Sequence, residues 1–259
     1  MADPLVCVSL EGTTVKEMLD EAARAGIAGA DLIEVRFDRL YLSRPEPTVT
    51  ENEEGEITKT MPPANEWPVR DFADIDVGAS ITALKEGIAL PVIFAVRPVR
   101  EGGHFSGDEA QRLDILQQGI DSASTWIDLE VSIEADKRAS LMEAAKKASC
   151  KIIASIHDTD STPSAEEIQN LITSNSEMGD IVKFCGTVND HQDALQIVEA
   201  THAMTNEKVE FAAMALGNGG DWARLHAPVL NQALVYATMR NEFRLSDKGL
   251  VNVRDLKEA

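Results

Sequence analysis

Short apolar runs, each followed by a longer stretch of helical periodicity, recur along the chain at intervals of about thirty residues. The runs are Pro4–Leu10, Leu32–Asp38, Pro91–Val96, Trp126–Val131, Lys151–Ile156, Asp180–Cys185, Glu210–Leu216 and Ala233–Met239. The stretches between them predict helices over about Thr13–Ala25, Asp74–Gly87, Asp108–Ile120, Ala135–Ala148, Ser164–Asn175 and Asp190–Met204, with a short last helix near the C-terminus. Thr13 and Thr14 offer an N-cap to the first helix and Gly26 a stop, while Ser164 and Glu167 make a capping box. Eight strands alternating with helices predict an α/β chain folded as a (β/α)8 barrel, one domain over residues 1–259. A doubly wound sheet is the alternative, but the Gly-rich turn expected after its first strand is missing. Residues 43–72 break the rhythm. They are rich in Pro, Glu and Thr and predict an acidic, hairpin-like surface insertion after the second strand, its end pinned by Trp67.

Polar residues inside the runs carry the chemistry. Lys183 sits among Ile181, Val182, Phe184 and Cys185, where burial disfavours an ammonium ion. It either snorkels, pairs with an acid such as Glu34, or serves as a neutral amine nucleophile. His157 ends the preceding run, as a satisfied strand-end histidine or as that lysine's proton-handling partner. In the second run Glu34, Arg36 and Asp38 alternate with Ile33, Val35 and Phe37, so one face is charged. That face lines a site or forms a paired network, or else the strand is an edge with a solvated side. Asp128 and Glu130 repeat the pattern and read as support for the lysine. The segment Arg97–Gly107 (RPVREGGHFSG) suggests an anion-binding loop at a strand's C-terminal end, with His104 facing solvent. Arg224 lies in the loop after the seventh run.

Composition narrows the partners. A net charge of −20 repels nucleic acid and anionic membranes. It reads as a solvated acidic surface, or as adaptation to high salt. No apolar stretch is long enough to span a bilayer, and the N-terminus lacks the charged region of a signal peptide. Three cysteines in or beside apolar runs point to reduced core thiols and a cytoplasmic setting. No cysteine and histidine pair has metal-ligand spacing, so no structural metal is expected.

EVR in the second run, FAVR-x-x-x-EGG in the third, SIHD-x-x-x-TPS in the fifth and IVKF in the sixth occur in an order that resembles the type I 3-dehydroquinate dehydratase family. The resemblance spans nearly the whole chain. It implies a TIM barrel, a homodimer, and removal of water from 3-dehydroquinate through a lysine Schiff base, without metal or other cofactor. It implies catalytic roles for Lys183 (Schiff base), His157 (general acid/base) and Glu101 (support for the histidine). Substrate binding falls on Ser9, Glu34, Val35, Arg36, Arg97, Arg224 and Ser246. Arg97 and Arg224 would hold the substrate carboxylate, and Glu34 and Arg36 would pair with each other. The chain departs from the family at Leu250, where a glutamine is typical, and at Ala223, where a serine is common. Two other functions share the Lys183 pattern: a class I aldolase barrel, and a silent barrel that binds a small carboxylate.

Overall fold

A computed structural model describes residues 3–51, 57–239 and 249–258. Ten strands are present among them: β1 (Leu5–Ser9), β2 (Leu32–Arg36), β3 (Thr48–Glu51), β4 (Ile57–Thr60), β5 (Val92–Ala95), β6 (Trp126–Glu130), β7 (Lys151–His157), β8 (Ile181–Thr187), β9 (Phe211–Leu216) and β10 (Leu234–Ala237). Eight of them form one parallel sheet in the order β10-β1-β2-β5-β6-β7-β8-β9. The outer two, β9 and β10, approach through Ala233 N–H donating to Phe211 O at 2.8 Å and Ala213 N–H donating to Gln232 Oε1 at 2.8 Å. The sheet is thus a nearly closed barrel, as the spacing of apolar runs predicts. The remaining pair, β3 and β4, is an antiparallel hairpin with Thr48 opposite Thr60. It occupies the acidic 43–72 segment, whose end is held by Trp67: the indole donates to Pro62 O, and the Arg39 and Arg44 guanidinium groups lie over its ring.

The helices are α1 (Val15–Ala28), α2 (Val77–Gly87), α3 (Glu109–Asp121), α4 (Ala135–Ala148), α5 (Ala165–Ser174), α6 (His191–Ala203), α7 (Asp221–Leu225) and α8 (Val253–Glu258). Each N-cap is a short polar side chain where the sequence offers one: Thr14, Asp76, Asp108, Ser164 and Asp190 all accept a first-turn N–H. The Ser164–Glu167 capping box forms as expected. Gly26 does not end α1. The helix runs on to Ala28 and stops at Gly29, whose φ of 103° lies in the left-handed region. An interior glycine costs a helix only about 1 kcal/mol, so Gly26 is carried through.

Alternation along each strand sorts the side chains into two environments. Outward residues such as Val6, Ile33, Val35, Phe94, Ile127, Val182 and Phe184 pack beneath the helices. Inward residues at the N-terminal end of the barrel (Cys7, Leu32, Ile93, Trp126, Ile153, Ile181, Ala212 and Leu234) form a separate apolar floor. On six of the strands the inward position two residues further along is polar: Ser9, Glu34, Asp128, Ser155, Lys183 and Tyr236. A filled floor below and charge above is the arrangement that keeps a barrel's chemistry at its C-terminal end.

Candidate active site

Lys183 stands on this polar layer in the middle of β8 and is 3% exposed. Its Nζ donates to Asp128 Oδ2 at 2.5 Å and faces Tyr236 Oη at 3.3 Å and Glu34 Oε1 at 3.5 Å. Asp128 also accepts from Arg97 Nη2 at 3.0 Å and from the Ser155 hydroxyl. Burial opposes charge on Asp128, but Arg97 and Lys183 override it and hold the carboxyl well below the usual range. Glu34 accepts from Ser9 Oγ at 2.6 Å and Tyr236 Oη at 2.9 Å. Burial opposes its charge too, and Lys183 and Arg36 keep it lowered. Unpaired, such a lysine would be costly. Here two carboxylates, Asp128 and Glu34, lie in ion-pair range of it and compensate its charge.

His157 ends β7. Ser155 pairs with Lys183 and His157 with Cys185 in register, so the imidazole lies one inward position nearer the barrel mouth than the lysine. Its Nδ1 meets Glu101 Oε2 at 3.1 Å, and Arg97 Nη1 contacts the ring nitrogens. Burial, then the charges of Arg97 and Lys183, push its pKa well below 6.5. The lowered value leaves the ring neutral at pH 6.5, with a lone pair for a substrate proton. An NMR titration of the free protein is expected to show no His157 midpoint near 6.5, and an ordinary midpoint there would contradict this reading.

Glu101 is positioned by a tight turn. Residues Val99–Glu101 form a 3-10 turn, and Gly102 follows at φ 75°. A Cβ on Gly103 would lie 2.1 Å from Arg97 O, closer than any real side chain comes to backbone. Phe105 then anchors the loop against Tyr41 and Phe72. Gly103→Ala is expected to cost about 2 kcal/mol, as overpacking does, and to displace Glu101. Urea unfolding measures it, and a cost under about 0.5 kcal/mol would mean that the turn yields freely. His104 is not solvent-facing as expected. It is half-buried, its backbone N–H donates to Asp38 Oδ2 at 3.0 Å, and desolvation pulls the imidazole pKa to about 4.

A cavity of about 570 Å³ opens above this layer, lined by Ser9, Arg36, His157, Lys183, Arg224 and Tyr236 among others. Glu101 and Leu250 also reach its wall. Four expectations change. The charged face of β2 does not extend to Asp38: the chain turns at Arg36 into a 3-10 turn over Phe37–Tyr41, and Asp38 is fully buried. There it accepts from Arg36 Nε and Nη2 at 2.9 and 2.8 Å, so Arg36 pairs with Asp38 and not with Glu34. Val35 points outward into the helix-packed core, because its neighbours Glu34 and Arg36 take the inward positions; its side chain does not reach the cavity. Arg97 is 2% exposed and held by Asp128, with Glu130 Oε1 at 3.6 Å from its Nε. Arg224 lies on the short helix α7, not in a loop. Its Nη1 donates to Ala215 O, Gly220 O and Gly249 O at 2.7, 2.7 and 2.9 Å, and its Nε to Tyr236 O at 3.2 Å. Ser246 lies outside the described residues.

Asp128, read from the sequence as support for the lysine, contacts it, whereas Tyr236 is a neighbour that the sequence reading lacked. Asp128 carried a signal in the acidic face of WIDLEV. Tyr236 carried none, since a tyrosine in ALVYATM is ordinary for a strand.

The model of the type I 3-dehydroquinase family matches residues 6–259. The chain is 26% identical over 239 residues to a 3-dehydroquinate dehydratase from Methanopyrus kandleri, covering 92% of this chain and 91% of that protein. It is 24% identical over 253 residues to the chloroplastic bifunctional 3-dehydroquinate dehydratase/shikimate dehydrogenase of Arabidopsis thaliana, covering 97% of this chain but only 36% of that longer protein. The crystal structure of a type I 3-dehydroquinate dehydratase from Clostridium difficile shares the fold, with a TM-score of 0.80 at 22% identity, covering 100% of this chain and 91% of that one. With the family match running from the first strand to the C-terminus, the chain belongs to the type I 3-dehydroquinase family.

Proposed function

We propose that the chain dehydrates 3-dehydroquinate to 3-dehydroshikimate, a step of the shikimate pathway, with Lys183 as the Schiff-base nucleophile and His157 as the general acid/base. The observation that carries the reading is a buried strand lysine one position beneath a neutral histidine, both on the wall of one cavity. The amine of Lys183, once neutral, adds to the substrate carbonyl, and the carbinolamine hydroxyl takes up a proton from solvent and leaves as water, giving a cationic iminium; hydrolysis later returns that proton. The iminium draws electrons from the neighbouring carbon and so acidifies its C–H bond. His157 Nε2 takes that proton, and the imidazolium returns it to the departing β-hydroxyl, which leaves as water. Hydrolysis of the conjugated iminium frees the product and restores Lys183. Glu101, bonded to Nδ1, orients the ring and favours the transient imidazolium.

Arg224 supports the choice of an acidic substrate. It is 1% exposed, makes no ion pair among the described residues, and is surrounded by carbonyl dipoles. A buried guanidinium without a carboxylate is incomplete, and the substrate carboxylate would complete it. Arg36, Glu34 and Ser9 then face the hydroxyls. Arg97 acts through Asp128 and His157 as a positioning residue. We read residues 1–259 as one barrel domain carrying the 43–72 insertion. A cytoplasmic homodimer rests on the family resemblance and on three cysteines, Cys7, Cys150 and Cys185, that are all free thiols. No described helix is long and apolar enough to cross a membrane.

The test is the absorbance of the conjugated enone formed when purified protein meets 3-dehydroquinate. Steady turnover is expected. Binding of the substrate without turnover would overturn the proposal in favour of a silent carboxylate-binding barrel.

A further inference from the structure

Deepening the proposed reaction, and resting on it, we infer that Tyr236 is a further catalytic residue, whose hydroxyl relays to Glu34 the proton that Lys183 must lose before it can attack. The geometry sets the problem and its answer together. Lys183 is an ion-paired ammonium, and an ammonium has no lone pair. Its shortest contact, Asp128, is a poor proton acceptor, because Arg97 and Ser155 also donate to that carboxylate and Arg97 stays beside it whatever Lys183 does. Glu34 differs. Its direct partners other than Lys183 are two neutral hydroxyls, Ser9 Oγ and Tyr236 Oη. Once Lys183 gives up its charge, Glu34 is a buried carboxylate without a contacting cation among the described residues, and a proton on it is favoured.

Tyr236 bridges the two. Its oxygen lies 3.3 Å from Lys183 Nζ, and its own proton points to Glu34 Oε1 at 2.9 Å. The direct separation from Nζ to that carboxylate is 3.5 Å, so the bridged path has the better contacts. In the transfer one N–H bond of Nζ breaks as an O–H bond forms on the phenol. The phenol's original O–H bond breaks as one forms on Glu34 Oε1. Lysine becomes a neutral amine, glutamate a carboxylic acid, tyrosine is unchanged, and nothing is oxidised. The reverse transfer recharges Lys183 after the product leaves. The charged and titratable groups acting on the phenol are Glu34 of β2, Cys7 of β1, Asp128 of β6 and Lys183 of β8, and Arg36 and Arg97 act in turn on its partner Glu34. Burial, and then Glu34, push the phenol well above its ordinary value, so it holds its proton and serves as a relay, not as a base. The ring also lies against the ammonium, with Nζ 5.1 Å from its centroid.

Tyr236→Phe keeps the ring and deletes only the relay atom. The readout is the rate at which borohydride traps the 3-dehydroquinate adduct on Lys183, measured against pH. The variant is expected to form adduct about 10²-fold more slowly near neutral pH, within the range of proton-transfer catalysis. Its deficit should shrink as the pH rises and solvent takes over the deprotonation. Glu34→Gln breaks the same path at its other end, so the double variant should be little slower than either single one. An unchanged trapping rate in Tyr236→Phe, a deficit that does not vary with pH, or effects that multiply in the double variant would overturn the relay. Absence of any adduct in the unmodified protein would instead overturn the Schiff-base reading on which the relay rests.

Discussion

Lys183→Ala is expected to lower turnover of 3-dehydroquinate by on the order of 10⁴-fold or more, because it removes the only route proposed to the iminium. No neighbour can substitute: Arg97 is enclosed, and the hydroxyls of Ser9 and Tyr236 cannot form an electron-withdrawing iminium. The protein should still fold, since Asp128 keeps Arg97 as a partner and Glu34 keeps two hydroxyl donors. Substrate affinity should change far less than turnover, because Arg224 and Arg36 remain on the cavity wall. Steady-state kinetics with a circular-dichroism check on folding decides it. A folded Lys183→Ala protein that retained even about one tenth of normal turnover would contradict the mechanism.

Asp128→Asn is expected to have the largest effect on stability. Asp128 is the shared counter-ion of Lys183 and Arg97, at 2.5 and 3.0 Å, and is wholly buried. Taking away its charge leaves two cations inside the barrel, with Glu34 at 3.5 Å from one and Glu130 at 3.6 Å from the other. Breaking a buried pair by removing one partner typically costs about 3–5 kcal/mol, and a substitution that keeps the shape of the side chain should fall near the lower end. Urea unfolding should therefore show a loss of roughly 3 kcal/mol, where a loss below about 1 kcal/mol would mean that Glu34 and Glu130 suffice. Since Asp128 also braces Arg97 against His157, the variant should lose activity even at temperatures where it remains folded.

Much of this architecture was legible in the sequence because it is local. The alternation within LIEVR and WIDLE assigns each side chain to a face without knowledge of any other strand. Lys183 stood out for a physical reason, the expense of a cation in an apolar strand, and the same reason required partners for it. Which partners could not be read locally. Glu34 and Tyr236 are 202 residues apart, and Lys183 and Glu34 are 149 apart; closure of the barrel alone brings them together. The pairing of Arg36 with Asp38 was hidden by the turn after β2, since a strand continued through Asp38 would have kept Glu34 as the natural partner. Arg97 stood out because it follows a strand, but its surroundings of Asp128, Glu130 and Ser155 come from other strands and could not be read locally. Gly26 was read as the stop of the first helix, but the left-handed C-cap is Gly29, three residues on.

The measurement that tests the central claim most directly is borohydride reduction of the purified protein in the presence of 3-dehydroquinate, followed by peptide mass spectrometry. The account predicts one reduced adduct, on the peptide carrying Lys183, with activity lost in proportion to its formation. Normal dehydration with no adduct, or an adduct on any other lysine, would contradict it.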